Sequence, residues 1–139
     1  MTERVFVDTG VLLSAHDLDA GVQHAIAEQV VRQLWDDRLG VSSTQVLQEF
    51  YVAVTERIAT PISRRDARDL LAAYQAWPIV SIEAADVLVA SDLQDRFKLT
   101  FWNALLVSGA IKARATMILS QELQPYRQIA GIEVRNPFA

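Results

Sequence analysis

The stretch "RVFVDTGVLL", Arg4–Leu13, joins a short run of β-branched and aromatic residues to the start of a helical pattern. Three consecutive apolar residues, Val5–Val7, predict a strand that is covered on both faces. Asp8, Thr9 and Gly10 end this strand, and helical spacing begins at Val11. A buried strand that passes directly into a helix is typical of α/β folds, so the stretch predicts a strand–helix unit of a parallel sheet.

The rest of the chain continues this alternation. Four further segments have strand character, namely "RLGVSS" (38–43), "PIVSI" (78–82), "ATMILS" (115–120) and "GIEVRNPF" (131–138). Helical spacing covers 11–37, with an interruption at "AHDLDAG" (15–21), and then 44–58, 64–77, 83–97 and a last helix after Thr100. This order predicts one domain over residues 1–139 with an α/β fold. We expect a three-layer α/β/α sandwich with a mostly parallel sheet of about five strands.

Several local features predict where these helices begin and which faces they bury. Ser43, Ser63 and Thr100 stand at expected N-cap positions, and Asp66 follows Ser63 in a capping-box pattern. Apolar residues at four-residue spacing predict the buried face of the 11–37 segment, namely Val22, Ile26, Val30 and Leu34. The apolar face of the 44–58 helix, around Phe50, Tyr51 and Val54, is a candidate protein-contact surface.

Composition limits the classes of function. The 139 residues contain no cysteine, which excludes disulfides and thiolate chemistry and fits a cytoplasmic protein. No apolar run is long enough to span a bilayer, and the N-terminal stretch does not have the pattern of a signal peptide. The net charge of −4 excludes a globally basic nucleic-acid footprint.

An anionic partner would therefore have to meet a local basic patch. The densest group of cations is formed by the arginines at 57, 64, 65 and 68. Such a group is more often a solvated face than a binding surface.

Polar residues recur where strands end or helices begin. Asp8 follows the first strand, Glu49 lies in the second turn of its helix, Asn103 lies in the first turn of another, and Ser120 and Glu122 follow the "MIL" strand. Each has an ordinary structural explanation on its own, as a cap, a turn residue or an outward-pointing side chain. Together they favour a ligand site, because the carboxyl ends of parallel strands share one edge of the sheet.

The residue types indicate which ligand such a site would take. Carboxylates packed closely together repel, and one stays protonated unless a cation neutralises them. Oxygen ligands without cysteine or histidine nearby favour Mg²⁺ or Mn²⁺ over zinc. His16 and His24 lie in or beside the first helical region and are interpreted as surface or core residues. The chain has no P-loop, G-x-S-x-G, H-E-x-x-H or G-x-G-x-x-G motif.

Four stretches of the sequence resemble a known family. The stretches "VFVDTGVLLSAHD", "STQVLQEFYVAVTER", "LTFWNALLVSGAIKARATMILSQELQ" and "GIEVRNPF" are similar to PIN-domain proteins, especially the VapC-like toxins of toxin–antitoxin pairs. The resemblance covers essentially the whole chain. It implies an α/β/α fold and Mg²⁺- or Mn²⁺-dependent cleavage of RNA, a phosphodiester hydrolase activity. It also implies an antitoxin partner, which blocks the cleft, and a homodimer.

Site residues follow from the resemblance by position. The acidic positions of the family fall at Asp8, Glu49, Asn103 and Glu122, which together imply a metal site, and Ser120 matches a hydroxyl that helps to organise it. One or two ions held there would polarise the scissile phosphate and activate a water for attack. Asn103 stands where these proteins usually carry aspartate.

Three departures from the family pattern bear on activity. Asn103 has nearly the shape of aspartate but no charge, and losing one charge about 4 Å from a divalent ion weakens binding by about 2 kcal/mol, or roughly 30-fold. Gly10 stands where asparagine or serine is usual, and Glu122 is one methylene longer than aspartate. Asn103 is either an inactivating substitution that preserves shape or a natural departure in a divergent protein.

Three functions remain open at this stage. The first is a toxin-type ribonuclease, and the second is a PIN-like module that binds RNA or protein without cleaving it. The third is a phosphotransfer or hydrolase domain with Asp8 as nucleophile. Gly10 disfavours the third, because that chemistry calls for a second carboxylate two residues after Asp8.

Overall fold

The computed structural model describes residues 3–123 and 125–139. Met1, Thr2 and Gln124 belong to the predicted 1–139 domain but lie outside the described residues. The strands are β1 (Val5–Val7), β2 (Gly40–Ser43), β3 (Ile79–Val80), β4 (Met117–Leu119), β5 (Gln128–Ile129) and β6 (Ile132–Arg135). The α-helices are α1 (Thr9–Ser14), α2 (Val22–Asp36), α3 (Thr44–Val52), α4 (Arg64–Tyr74), α5 (Ala84–Phe97) and α6 (Phe101–Lys112).

The strands form one sheet in the order β3-β2-β1-β4-β6-β5. β1 lies at its centre and pairs in parallel with β2 and β4, and β6 pairs in parallel with β4. Every residue of β1 and β2 is buried, as expected for strands with helices on both faces. The predicted α/β/α sandwich with a mostly parallel sheet is therefore confirmed.

The sheet has one strand more than the sequence predicts. The segment between the predicted strands at 115–120 and 131–138 contains β5, which pairs antiparallel with β6. The two-residue loop Ala130–Gly131 joins them with φ of 50° and 79°, and positive φ at both positions is what a tight type I′ hairpin turn requires. Ala-Gly is not the usual Asn-Gly signal of such a turn, so the sequence did not predict it.

The helix starts agree with the cap predictions. The Ser43 hydroxyl accepts the Val46 N–H at 3.4 Å, and the Ser63 hydroxyl accepts the Asp66 N–H at 3.0 Å. The Thr100 hydroxyl accepts the N–H of Asn103 at 3.2 Å. Each bond satisfies a backbone donor that has no partner within its own helix.

The predicted buried face of α2 is wrong at its start. Val22 is 76% exposed, and the buried residues are Ala27, Val31 and Leu34. The helix therefore turns a face about one residue away from the predicted stripe toward the core. The contact surface predicted on α3 is also wrong in part, because Phe50 and Val54 are completely buried in the core and cannot meet a partner.

The predicted 44–58 helix is interrupted by a change of helix type. Residues Ala53–Arg57 form a π turn directly after α3, and the Ile58 N–H bonds to the Ala53 carbonyl. The Thr55 hydroxyl donates to the Tyr51 carbonyl at 2.7 Å. This side-chain bond competes for the carbonyl that a continuing α-helix would pair with the Thr55 N–H. A π turn is a local feature that hydrophobic periodicity does not reveal.

Among the described residues, no helix is both long and apolar enough to cross a membrane.

Gly40 at the start of β2 packs closely against Trp77, in the turn after α4. A Cβ added at Gly40 would lie 2.7 Å from ring atoms of Trp77, which is itself buried. We expect Gly40→Ala to lower the free energy of unfolding by about 1–3 kcal/mol, because the indole must move within a packed core. Urea unfolding measures the change.

Gly10→Ala is the matched control. A Cβ at Gly10 meets nothing within 4 Å, and alanine is favoured over glycine in a helix such as α1. This variant should be as stable as the wild type or slightly more so. Equal stability of Gly40→Ala and the wild type would contradict the packing described.

Candidate active site at the carboxyl edge of the sheet

Asp8 lies at the point where β1 passes into α1. Its backbone N–H donates to the Leu119 carbonyl at 3.0 Å, which continues the β1–β4 pairing by one residue. Asp8 is also the N-cap of α1, and its side chain accepts the Thr9 N–H. The structural role that the sequence suggested for this residue is therefore real. The cap leaves the second carboxylate oxygen available for another contact.

That second oxygen is bound by Ser120. The Ser120 hydroxyl donates to Asp8 Oδ2 at 2.6 Å, and both side chains are buried. The same hydroxyl accepts the Leu123 N–H at 3.2 Å, so it links the loop after β4 to the Asp8 carboxylate. Asp8 and Ser120, which are 112 positions apart, meet because β1 and β4 are neighbours in the sheet.

The Asp8 carboxylate carries an electrostatic cost. Burial, with smaller contributions from the nearby charges of Glu122 and Glu49, raises the pKa of this carboxyl from 3.8 to about 6. The hydrogen bonds from Ser120 and Thr9 oppose the rise without cancelling it. At neutral pH the site therefore holds more negative charge than its surroundings stabilise.

Glu49 reaches the same region from α3. The Thr9 hydroxyl donates to Glu49 Oε1 at 2.8 Å, which ties the first residue of α1 to the second turn of α3. Thr9 is a site residue that the sequence reasoning missed. Its position beside Asp8 was visible, but nothing local indicated that it would contact a residue 40 positions away.

A surface cleft of about 320 Å³ contains these groups. Asp8, Glu49 and Glu122 all line it. The remaining lining residues are Thr9, Gly10, Leu13, Ala53, Arg57 and Ile58. Three of the four predicted ligand positions thus open onto one cleft, with Ser120 bonded to Asp8 behind it. Arg57, from the predicted basic group, also lies there, whereas Arg64, Arg65 and Arg68 do not line it.

Asn103 has a different position. It lies half-buried in the first turn of α6 and is not one of the residues that line the cleft. Gln45, on α3 one turn before Glu49, donates from Nε2 to the Trp102 carbonyl at 3.1 Å. This bond fixes the start of α6 against the start of α3. Asn103 is therefore at the predicted edge of the sheet, without a demonstrated contact to Asp8, Glu49 or Glu122.

The two histidines lie outside the cleft lining. His16 Nε2 is 2.6 Å from the Tyr74 hydroxyl, and burial lowers the pKa of this imidazole. His24 Nδ1 lies 2.9 Å from the Ser14 carbonyl. Both side chains thus have partners among the first helices and α4.

The donor chemistry of the cleft fits a hard divalent cation. Its candidate ligands are carboxylate oxygens, and neither cysteine nor histidine lines it. The raised pKa of Asp8 marks a charge excess that a cation would relieve. In the described part of the chain, however, no three acidic, histidine or cysteine side chains already stand close enough to form a complete ligand cluster.

Fold and cleft together define an α/β/α domain with carboxylates gathered at the carboxyl edge of its parallel sheet. The PIN-domain family model matches residues 5–130, and the chain belongs to the PIN-domain family. Comparison with curated proteins gave no match.

Several solved structures are similar in fold. A toxin–antitoxin complex from Klebsiella pneumoniae superposes with a TM-score of 0.69 at 19% identity, covering 96% of this chain and 97% of the other. VapC20 of Mycobacterium tuberculosis, described as a toxin that cleaves the sarcin–ricin loop, gives 0.61 at 19% identity, with 82% and 86% covered. VapBC2 of Rickettsia felis, bound to a promoter DNA fragment, gives 0.66 at 14% identity, with 95% and 97% covered.

The raised pKa of Asp8 predicts how stability depends on pH. The folded state binds the Asp8 proton more tightly than the unfolded state, so this residue costs stability above about pH 6 and costs nothing below about pH 4. In metal-free buffer, Asp8→Asn should therefore raise the free energy of unfolding near pH 7.5, by up to about 3 kcal/mol. The gain should disappear near pH 4.

Chemical unfolding at the two pH values measures this difference. Asp95→Asn, at an exposed position on α5, is the control and should show no such pH-dependent gain. If Asp8→Asn were less stable than the wild type near pH 7.5, the buried carboxylate would not be the electrostatic burden described.

Proposed function

We propose that this protein is a metal-dependent endoribonuclease that acts as the toxin of a toxin–antitoxin pair. The observation that carries the proposal is the buried Asp8 carboxylate, which Ser120 holds in a cleft also lined by Glu49 and Glu122. Membership of the PIN-domain family and the fold shared with toxin structures support it. One of those structures is of a protein described as cleaving RNA.

Asp8, Glu49 and Glu122 are the residues that would hold Mg²⁺ or Mn²⁺, with the position of Asn103 as a fourth candidate. When bound, such an ion would supply charge neutralisation and Lewis-acid activation of a phosphodiester for hydrolysis. The chain itself contributes preorganisation. Ser120 orients the Asp8 carboxylate, and the Thr9 hydroxyl orients that of Glu49.

A second candidate function is a PIN-domain module that binds RNA or a protein without cleavage. Asn103 favours it, because this position lacks the charge of an aspartate. The cleft therefore has three carboxylates to attract an ion, those of Asp8, Glu49 and Glu122, and Asn103 does not line it. Both functions use the same cleft, and they differ in metal affinity and in turnover.

If the protein is a toxin ribonuclease, its proposed partners are an RNA substrate, a cognate antitoxin and a second copy of the chain. The antitoxin proposal draws on the similar structures that contain toxin–antitoxin pairs. An apolar groove of about 380 Å³ between α3 and α4, lined by Leu47, Tyr51, Val52 and Leu71 among others, supports binding of an amphipathic helix. Sedimentation equilibrium of the purified chain would decide between monomer and homodimer.

Metal binding and RNA cleavage test the proposal together. We expect Mn²⁺ to raise the melting temperature of the wild type but not that of Asp8→Asn or Glu49→Gln, because a ligand that binds only the folded state stabilises it. Asn103→Asp should bind Mn²⁺ more tightly than the wild type and cleave RNA faster, because it adds one negative charge at the same edge of the sheet. Calorimetry and a gel-based cleavage assay give the two readouts.

Gln48→Glu is the matched control for Asn103→Asp. It adds one carboxylate on α3 at an exposed position that does not line the cleft, so it should change neither property. If the wild type and Asn103→Asp fold and bind RNA but cleave none with Mn²⁺, the ribonuclease proposal fails and the binding module is supported.

A further inference from the structure

We propose that Arg57 binds a backbone phosphate of the nucleic acid that enters the cleft. This inference rests on the proposed function, because it assigns a residue to substrate binding at the same site. It concerns a side chain that the metal chemistry does not use.

Arg57 lies in the cleft itself. Arg57 lines the cleft together with Asp8, Glu49 and Glu122. A phosphodiester that approaches three carboxylates is repelled, so productive binding calls for positive charge on the same wall. The guanidinium of arginine suits this task because its planar set of donors matches two phosphate oxygens at once.

The π turn changes the helical rotation between Glu49 and Arg57. An α-helix rotates about 100° per residue, so the eight steps from Glu49 to Arg57 would overshoot two full turns by about 80°. The wider turn at Ala53–Arg57 rotates less per residue and reduces that overshoot. Glu49, Ala53 and Arg57 all line the cleft, although they span two helix types.

Arg57 has no charged partner among the described residues. Within residues 3–123 and 125–139, none of the ion pairs includes Arg57. Glu49 instead accepts the Thr9 hydroxyl. Arginine and carboxylate therefore share the cleft without neutralising each other, which leaves the guanidinium free for an anionic ligand.

RNA binding in EDTA tests the assignment without metal or cleavage. The probe is a short fluorescein-labelled single-stranded RNA of mixed sequence, followed by anisotropy at several KCl concentrations. Arg57→Ala should weaken binding roughly tenfold, the loss expected for one charge-assisted contact. It should also reduce the slope of log K against log salt by about 0.7, the value for one phosphate on a single strand. Arg57→Lys should keep the slope and lose part of the affinity.

Arg68→Ala is the matched control, since it removes the same charge from an exposed position on α4 that does not line the cleft. Urea unfolding of each variant excludes a general loss of structure. Equal effects of Arg57→Ala and Arg68→Ala, or an unchanged salt slope in Arg57→Ala, would overturn the assignment.

The RNA-binding test of Arg57 and the cleavage test of the proposed function can fail independently. Cleavage by the wild type with Mn²⁺, combined with unaltered RNA binding by Arg57→Ala, would overturn the Arg57 assignment alone. An Arg57-dependent salt slope in a protein that never cleaves RNA would support the phosphate contact and contradict the ribonuclease. Failure of the wild type to bind the probe in EDTA would contradict the Arg57 assignment, whereas cleavage measured with Mn²⁺ tests the ribonuclease independently.

Discussion

The hydrogen bond from the Ser120 hydroxyl to the Asp8 carboxylate is the contact on which the site depends. It joins the ends of two central strands, β1 and β4, and exists only because these strands pair in parallel register. Burial makes the carboxylate costly, and the bond keeps it in place without removing that cost. A stable domain that keeps such a group is consistent with a function that uses its charge.

One segment of helix then gives the cleft both signs of charge. Glu49 comes from α3, and Arg57 comes from the π turn that follows it. The two residues stand eight positions apart along the chain, and both line the cleft. The proposed cation site and the proposed phosphate contact thus draw on neighbouring turns of one helical segment.

Much of the fold could be predicted from the sequence, because apolar runs and helical spacing report which residues are buried. The five expected strands, the caps at Ser43, Ser63 and Thr100, and the parallel sheet all appear. The hairpin at Ala130–Gly131 and the π turn could not be predicted, since both depend on local backbone geometry. The predicted strand ends indicated that Asp8 lies at the site. Its hydrogen bond with Ser120 and its proximity to Glu49 and Glu122 became visible only in the three-dimensional structure.

Anomalous diffraction from crystals of this protein grown with Mn²⁺ tests the central claim most directly. The account predicts a manganese peak in the cleft, at coordination distance from an Asp8 oxygen and from at least one of Glu49 and Glu122. A fully occupied peak elsewhere, or no peak in the cleft of either the wild type or Asn103→Asp, would contradict it.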